Sequence, residues 1–246
     1  MSQIQKQEGI VIKKSDYKEN ASLITVLTKE GKLSLIVRGA KKINSVTRNY
    51  TNLFTKLDFN ATNNLKLNTL TEALVISSYI NINTDMDKLN AGLAILGKVN
   101  FFLEEITNSS QFYSFFSLIL EKLDKTKYPN LILVLFELKL LYLLGVAPEV
   151  KECVICGNKD IEDASFSVAS GGVICKKHLN HFVDLNEVET KALKLLYFIK
   201  MDKVDDEFLS LVSEYANKIF DTVDKFYERH LDFHSKAKKI IKVISK

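Results

Sequence analysis

The chain has 246 residues, is 46% hydrophobic, and carries 34 Lys/Arg against 30 Asp/Glu for a formal net charge of +4. That is enough apolar material for one large or two modest packed domains, which excludes a disordered chain. The most apolar run, Leu131 to Ala147, is interrupted by Glu137 and Lys139, so it reads as a buried helix and excludes a simple membrane span.

The opening Met-Ser-Gln-Ile-Gln-Lys-Gln holds no apolar signal-type stretch, and no cysteine is left over for disulfides, so a reducing cytoplasm is expected. Residues 9 to 80 read as short strands: Gly9–Lys13, Leu23–Thr28, Leu33–Arg38, Leu53–Asn60, Leu65–Thr71 and Leu74–Ile80. Turn signals such as Lys29-Glu30-Gly31-Lys32 separate them, and so many short strands suggest a small barrel or sandwich. From Asp85 onward the period becomes helical. Leu89, Leu93, Leu96, Asn100 and Leu103 mark one stripe, Phe112, Phe116, Ile119 and Leu123 a second, and Leu131, Leu135, Leu138, Leu141 and Gly145 a third. Pro129 and Gly145 punctuate the last of these. Residues 150–182 are too poor in apolar side chains to fold unaided. Helices resume at Asn186–Lys200, where Asn186 and Glu189 form an approximate capping box, and a long helix is expected from about Asp206 to the end.

Charge is unevenly shared. Residues 1 to 80 hold 12 Lys/Arg and 6 Asp/Glu, net +6, which leaves 22 and 24, net −2, for the rest. A polyanion should therefore dock on the N-terminal part. Within it, Arg38-Gly39-Ala40-Lys41-Lys42 with Arg48 and Tyr50 offers cations for phosphates and a ring for a base, although a solvated basic loop would look the same. The last eleven residues add Lys236, Lys238, Lys239, Lys242 and Lys246 without an acid, a frayed end or a further phosphate contact.

The three cysteines fall within 23 residues. Cys153-Val-Ile-Cys156 and, after an 18-residue loop, Cys175-Lys-Lys-His178 present three thiolates and an imidazole, a full tetrahedral set for one structural zinc. Gly157 suits a turn with positive φ at such a knuckle, and Gly171-Gly172 could bend the chain toward the second pair. His181 is the alternative fourth ligand. A zinc deaminase would need a His-x-Glu ahead of its cysteines, but His178, His181, His230 and His234 all follow Cys156. Gly92-Leu-Ala-Ile-Leu-Gly97-Lys98-Val99 lacks the hydroxyl of a phosphate-binding loop and sits in a helical stripe. His230 and His234, four apart on the expected last helix, share a face without a neighbouring Glu and read as surface histidines. The acids Glu104-Glu105 and Asp205-Asp206-Glu207 read as a solvated face and a helix start.

Taken in order, these segments resemble the RecO family of bacterial DNA repair and recombination mediators. The resemblance rests on Gly9-Ile-Val-Ile, Asp16-Tyr-Lys-Glu19-Asn, Thr28-Lys-Glu-Gly31-Lys-Leu and Val37-Arg38-Gly39-Ala40-Lys41-Lys42 with Ser45. It continues through Phe136-Glu137-Leu-Lys139 with Gly145 and Pro148, Cys153-x-x-Cys156-Gly157, Phe166 and Gly171-Gly172-x-x-Cys175. It implies an α+β fold, with an N-terminal OB-fold β-barrel (residues 1–80) followed by an α-helical domain (81–246) carrying the zinc finger (150–182). It also implies a protein without enzymatic activity that binds single- and double-stranded DNA and anneals complementary strands. Implied partners are RecR, the acidic C-terminal tail of single-stranded-DNA-binding protein and, indirectly, RecA, at the nucleoid and away from membranes. DNA contacts carry over to Arg38, Lys41, Lys42 and Arg48, with Lys13 and Lys14 behind them. Where many relatives have a fourth cysteine this chain has His178, and Ser22 replaces a charged residue. The competing readings are a zinc-ribbon RNA-binding or adaptor protein and a zinc-dependent hydrolase.

Overall fold

The computed structural model describes residues 4–42, 45–62, 67–179 and 182–234. The chain divides into two compact units: Met1–Thr84 with Leu96–Asp124, and Asp85–Ile95 with Lys125–Lys246.

In the first unit, strands β1 (Ile4–Tyr17), β2 (Ala21–Thr28), β3 (Gly31–Arg38), β4 (Lys56–Thr62) and β5 (Asn68–Ser77) close a barrel in the order β1-β2-β3-β5-β4. Alternating apolar residues fill it: Val11, Ile24, Val26, Leu35, Val37, Leu57 and Phe59 form one buried cluster. β1 is long because it serves two partners, pairing with β4 over Ile4–Ile10 and with β2 over Gly9–Tyr17. At the crossover a Cβ on Gly9 would lie 3.2 Å from Leu27 O, Phe59 Cε1 and Thr28 Cγ2, so a side chain there would crowd both neighbouring strands. A register shift between Val11 and Lys13 keeps Ile12 buried and turns both Lys13 and Lys14 to solvent.

Three strand expectations change. β1 extends beyond Gly9–Lys13 on both sides, because its polar flanks pair through backbone atoms and leave no hydropathy signal. β4 starts at Lys56, since Phe54 turns the chain with φ 67°. Leu65–Thr71 and Leu74–Ile80 merge into β5, whose irregular register against β4 breaks the alternation that reads as a gap. Leu65 itself lies outside the described residues.

The unit continues through α1 (Ile80–Thr84), the second part of α2 (Met86–Phe102) and α3 (Ser109–Lys125). The expected stripe of α3 holds: Phe112, Phe116, Ile119 and Leu123 are all fully buried. Tyr113 Oη donates to Glu8 Oε1 at 2.7 Å, and Lys56 Nζ lies 3.1 Å from the same oxygen, tying α3 to β1 and β4. In α2 the stripe is rotated. Ala91, Ala94, Ile95, Leu96, Val99 and Phe102 are buried while Leu93 is 37% exposed, because small alanines take the packed face.

The second unit is built on α4 (Pro129–Leu143), which begins with Pro129 in its first turn and is followed by Gly145 at φ 72°. Leu131 through Leu138 are all buried, as a helix enclosed on every side requires. A hairpin of β6 (Ser165–Ser167) and β7 (Gly172–Ile174) leads to α5 (Glu187–Phe198), whose Asn186/Glu189 capping box is present as expected. The long terminal helix is interrupted: α6 (Asp206–Val212) and α7 (Ala216–Leu231) flank a single 3₁₀ turn. Ser210 and Ser213 hydroxyls donate to Glu207 O and Ser210 O, competition that weakens a helix here. α7 is closed by Asp232 at φ 51°, and its Tyr227 Oη donates to Glu137 O of α4 at 2.8 Å. Among the described residues no helix is long and apolar enough to cross a membrane.

Candidate metal centre and nucleic-acid interface

Four ligand atoms converge in the second unit. Cys153 and Cys156 bracket a turn in which Gly157, at φ 68°, sends its N–H back to Cys153 O at 2.8 Å. β7 delivers Cys175, and a 3₁₀ turn (Lys176–His178) brings His178 round on the same side. Gly172 is needed for a close approach, because a Cβ there would meet Glu149 O at 2.3 Å. Gly171 makes the bend, at φ 80°.

The four ligand atoms lie within 4.8 Å of one another. Cys156 Sγ and Cys175 Sγ are 3.8 Å apart, and His178 Nδ1 lies 3.3 Å from Cys175 Sγ and 3.9 Å from Cys153 Sγ. A tetrahedron with metal–sulfur bonds of about 2.3 Å has sulfur–sulfur edges of about 3.8 Å and sulfur–nitrogen edges of about 3.6 Å, so the residues fit one ion. Three thiolates and an imidazole favour zinc-type chemistry, and four protein ligands leave no position for a substrate. Burial would raise the Cys153 thiol, but the amides of Cys175, Ile155 and Cys156 pointing at its sulfur bring it down to about 6. His181 lies outside the described residues.

On the barrel, Arg38 ends β3, and the following loop folds back on it. Gly39, at φ 73°, starts two successive turns, Lys42 N to Gly39 O and Ser45 N to Lys42 O, while Thr47 Oγ1 donates to Arg38 O at 3.2 Å. Lys41 Nζ reaches the β1–β2 turn, 3.2 Å from Asp16 Oδ1 and from Lys18 O. Arg38, Lys41, Lys42 and Arg48 thus share one end of the barrel and are all exposed. Asp16 partly offsets Lys41. Lys13 and Lys14 pair with Thr25 and Ile24, three to four residues back along β1 from Tyr17, or about 10 Å from that end. Lys18 joins the cluster unannounced, its ammonium 5.5 Å from the Tyr17 ring centre; the Asp16-Tyr17-Lys18 turn was its signal. Ser22 is 2% exposed and offers no contact surface. The lysines from 236 onward lie outside the described residues.

Other sequence candidates separate. Gly97 and Lys98 are inside α2, with Lys98 fully buried, so no phosphate loop exists there. His230 and His234 do not share a helix face, since α7 stops at Leu231; His230 Nε2 donates to Val168 O at 2.8 Å and its ring lies against Phe226. Asp205 caps α6, accepting from Phe208 N at 2.8 Å.

A feature not foreseen is a groove of about 460 Å³ lined by Lys191, Lys194, Leu195, Phe198 and Ile199 around α5 and by Phe208 of α6. Leu195 and Phe198 are half exposed. Lys194 Nζ donates to Ile161 O at 3.0 Å and Lys191 Nζ lies 3.5 Å from Asp163, so the metal-bearing segment positions both lysines. Burial, then the nearby Lys191 charge, hold Lys194 below the ordinary lysine range. The spacing of Lys191, Leu195 and Phe198 was the available signal.

Two family models match the chain: Recombination protein O N terminal over residues 1–79 and Recombination protein O C terminal over residues 83–239. Curated relatives described as DNA repair protein RecO are similar over nearly full length. That of Listeria monocytogenes serotype 4a (strain HCC23) is 27% identical over 99% of this chain and 96% of its own. The Halalkalibacterium halodurans protein is 26% identical over 96% and 93%, and the Exiguobacterium sibiricum protein 28% over 97% and 96%.

Proposed function

Because the chain belongs to the RecO family, we propose that it is a cytoplasmic, nucleoid-associated DNA repair and recombination mediator without enzymatic activity. It binds single- and double-stranded DNA, anneals complementary strands and, with RecR, helps load RecA onto DNA coated by single-stranded-DNA-binding protein. The observation that carries the reading is the exposed cluster of Arg38, Lys41, Lys42 and Arg48 on a closed barrel in the basic part of the chain. Cations at one end hold phosphates, and Tyr17 offers a ring for an unpaired base, whereas Tyr50 packs against the barrel core. Lys13 and Lys14 extend the track along β1.

One structural zinc per chain, on Cys153, Cys156, Cys175 and His178, supports the segment between α4 and α5. Among the described residues, the buried cluster around the ligands is Cys153, Ile174 and Cys175 with Val154 and Ile161 packed against it, so ligation adds to a small core. The coating protein's acidic tail docks in the α5 groove: apolar tail residues lie on Leu195 and Phe198, and carboxylates face Lys191 and Lys194. An arriving anion relieves the repulsion between those two ammoniums.

The test is annealing of complementary single strands without nucleotide. Annealing that needs ATP sinks the mediator reading. A marked preference for RNA over DNA favours the RNA-binding alternative, since a reader of the 2′-hydroxyl discriminates sharply.

A further inference from the structure

Cys156 is the one exposed cysteine, whereas Cys153 and Cys175 are buried. Oxidants reach thiolates that meet solvent, and a neighbouring thiolate then resolves the product. The resolving partner is close: Cys175 Sγ lies 3.8 Å from Cys156 Sγ, so about 1.8 Å of closure reaches disulfide length. Cys153 is less available, because its sulfur is buried and accepts the Cys175 N–H at 3.4 Å.

We infer that Cys156 and Cys175 form a peroxide-reactive modification site whose oxidation ejects the metal ion. The inference rests on the zinc reading above. Cys156 thiolate attacks one oxygen of hydrogen peroxide; the O–O bond breaks, a sulfenic acid forms and hydroxide leaves. Cys175 thiolate then attacks that sulfur, the S–O bond breaks, and a second hydroxide leaves as the disulfide forms. Two protons from solvent complete two waters. The two thiolates lose two electrons and the peroxide gains them. Zinc keeps only Cys153 and His178 and dissociates.

The change travels beyond the ligands. Two of the three buried residues of this small cluster are themselves ligands, and the segment is tied to α5 by Lys194 on Ile161 O and by Asp163 between Lys176 and Lys191. Oxidation therefore loosens the lysines of the groove together with the metal segment.

The experiment uses the full chain purified without chelators. Zinc content is measured first, then release to a chromogenic chelator on adding hydrogen peroxide, followed by non-reducing peptide mapping and hydrogen exchange. Expected are release of the bound zinc, a Cys156–Cys175 linked peptide, faster exchange over residues 153–178 and α5, and reversal by a thiol reductant with zinc. Zinc that stays bound through peroxide treatment, or a disulfide joining Cys153 to Cys156 instead, overturns the inference and leaves the metal reading intact. Absence of zinc before peroxide sinks the metal reading, and the mapped disulfide still decides the cysteine pair. In Cys156→His, which keeps a ligand but removes the thiol, release should slow at least about tenfold. An unchanged rate overturns the inference, and should that variant lose zinc on purification, mapping of the native chain decides.

Discussion

His178 supplies an imidazole in place of a fourth thiol, and a 3₁₀ turn of three residues is enough to bring its Nδ1 to the sulfurs. Replacing Cys153 by Ser should lower zinc content and destabilise residues 150–182, read by metal analysis and by hydrogen exchange. His178→Ala should lose metal while His181→Ala keeps it; the reverse result reassigns the fourth ligand. The quartet was legible because ligand spacing is local in sequence and short turns dictate it. Lys18 was signalled only by its turn, because its place beside Lys41 depends on how β1 turns into β2. Glu8 makes a pH prediction. Burial raises its carboxyl, but hydrogen bonds from Tyr113 and Lys56 outweigh that and hold it below its ordinary 4.5. A depressed carboxyl stabilises the fold above that value and loses the contribution as pH falls through the lower, folded one. The stability gap between the native chain and Tyr113→Phe should therefore shrink on acidification below about pH 4. A gap that widens there contradicts the bond.

At the scale of elements, the regular patterns were readable and the compromises were not. α3 declared its buried face because four large residues recur at helical spacing, and Phe116→Ala should cost about 3–5 kcal/mol in denaturant unfolding. α2 misled, since Ala91 and Ala94 take the packed side while Leu93 faces out. β5 misled in another way: an irregular register breaks alternation without breaking the strand. α5 combines two duties on one helix. Its capped start packs Ala192, Leu193 and Leu196 inward, while Lys191, Leu195 and Phe198 line the groove. Lys194→Ala and Leu195→Asp should each weaken binding of an acidic, apolar-ended tail peptide by about tenfold, with the helix content unchanged. Full binding by both variants would remove the tail from this groove.

At the scale of the whole chain, net charge is +6 in residues 1 to 80 against −2 in the remainder, so the long-range field favours a polyanion on the N-terminal part, while the α5 groove relies on its local Lys191 and Lys194. The basic barrel suits the polyanion, and binding there releases counterions, so affinity should fall steeply with salt. Changing Arg38, Lys41 and Lys42 together to Ala should flatten the logarithmic salt slope by roughly two to three units. Lys41 contributes the smallest share, since Asp16 already faces it. In the proposed division the groove, carried by the other unit, would hold the coating protein's tail and the barrel the strand. Such a division predicts a specific asymmetry. Bare complementary strands should anneal whether or not a tail is present, because only the barrel is engaged. Strands coated by a protein lacking its acidic tail should fail to anneal, while those coated by the intact protein should succeed without ATP. Lys194→Ala should reproduce the tail deletion on coated strands and leave bare strands unaffected, and the barrel triple variant should slow both. If coated strands anneal equally well without the tail, the groove has no part in the reaction and the strand-holding barrel must act alone.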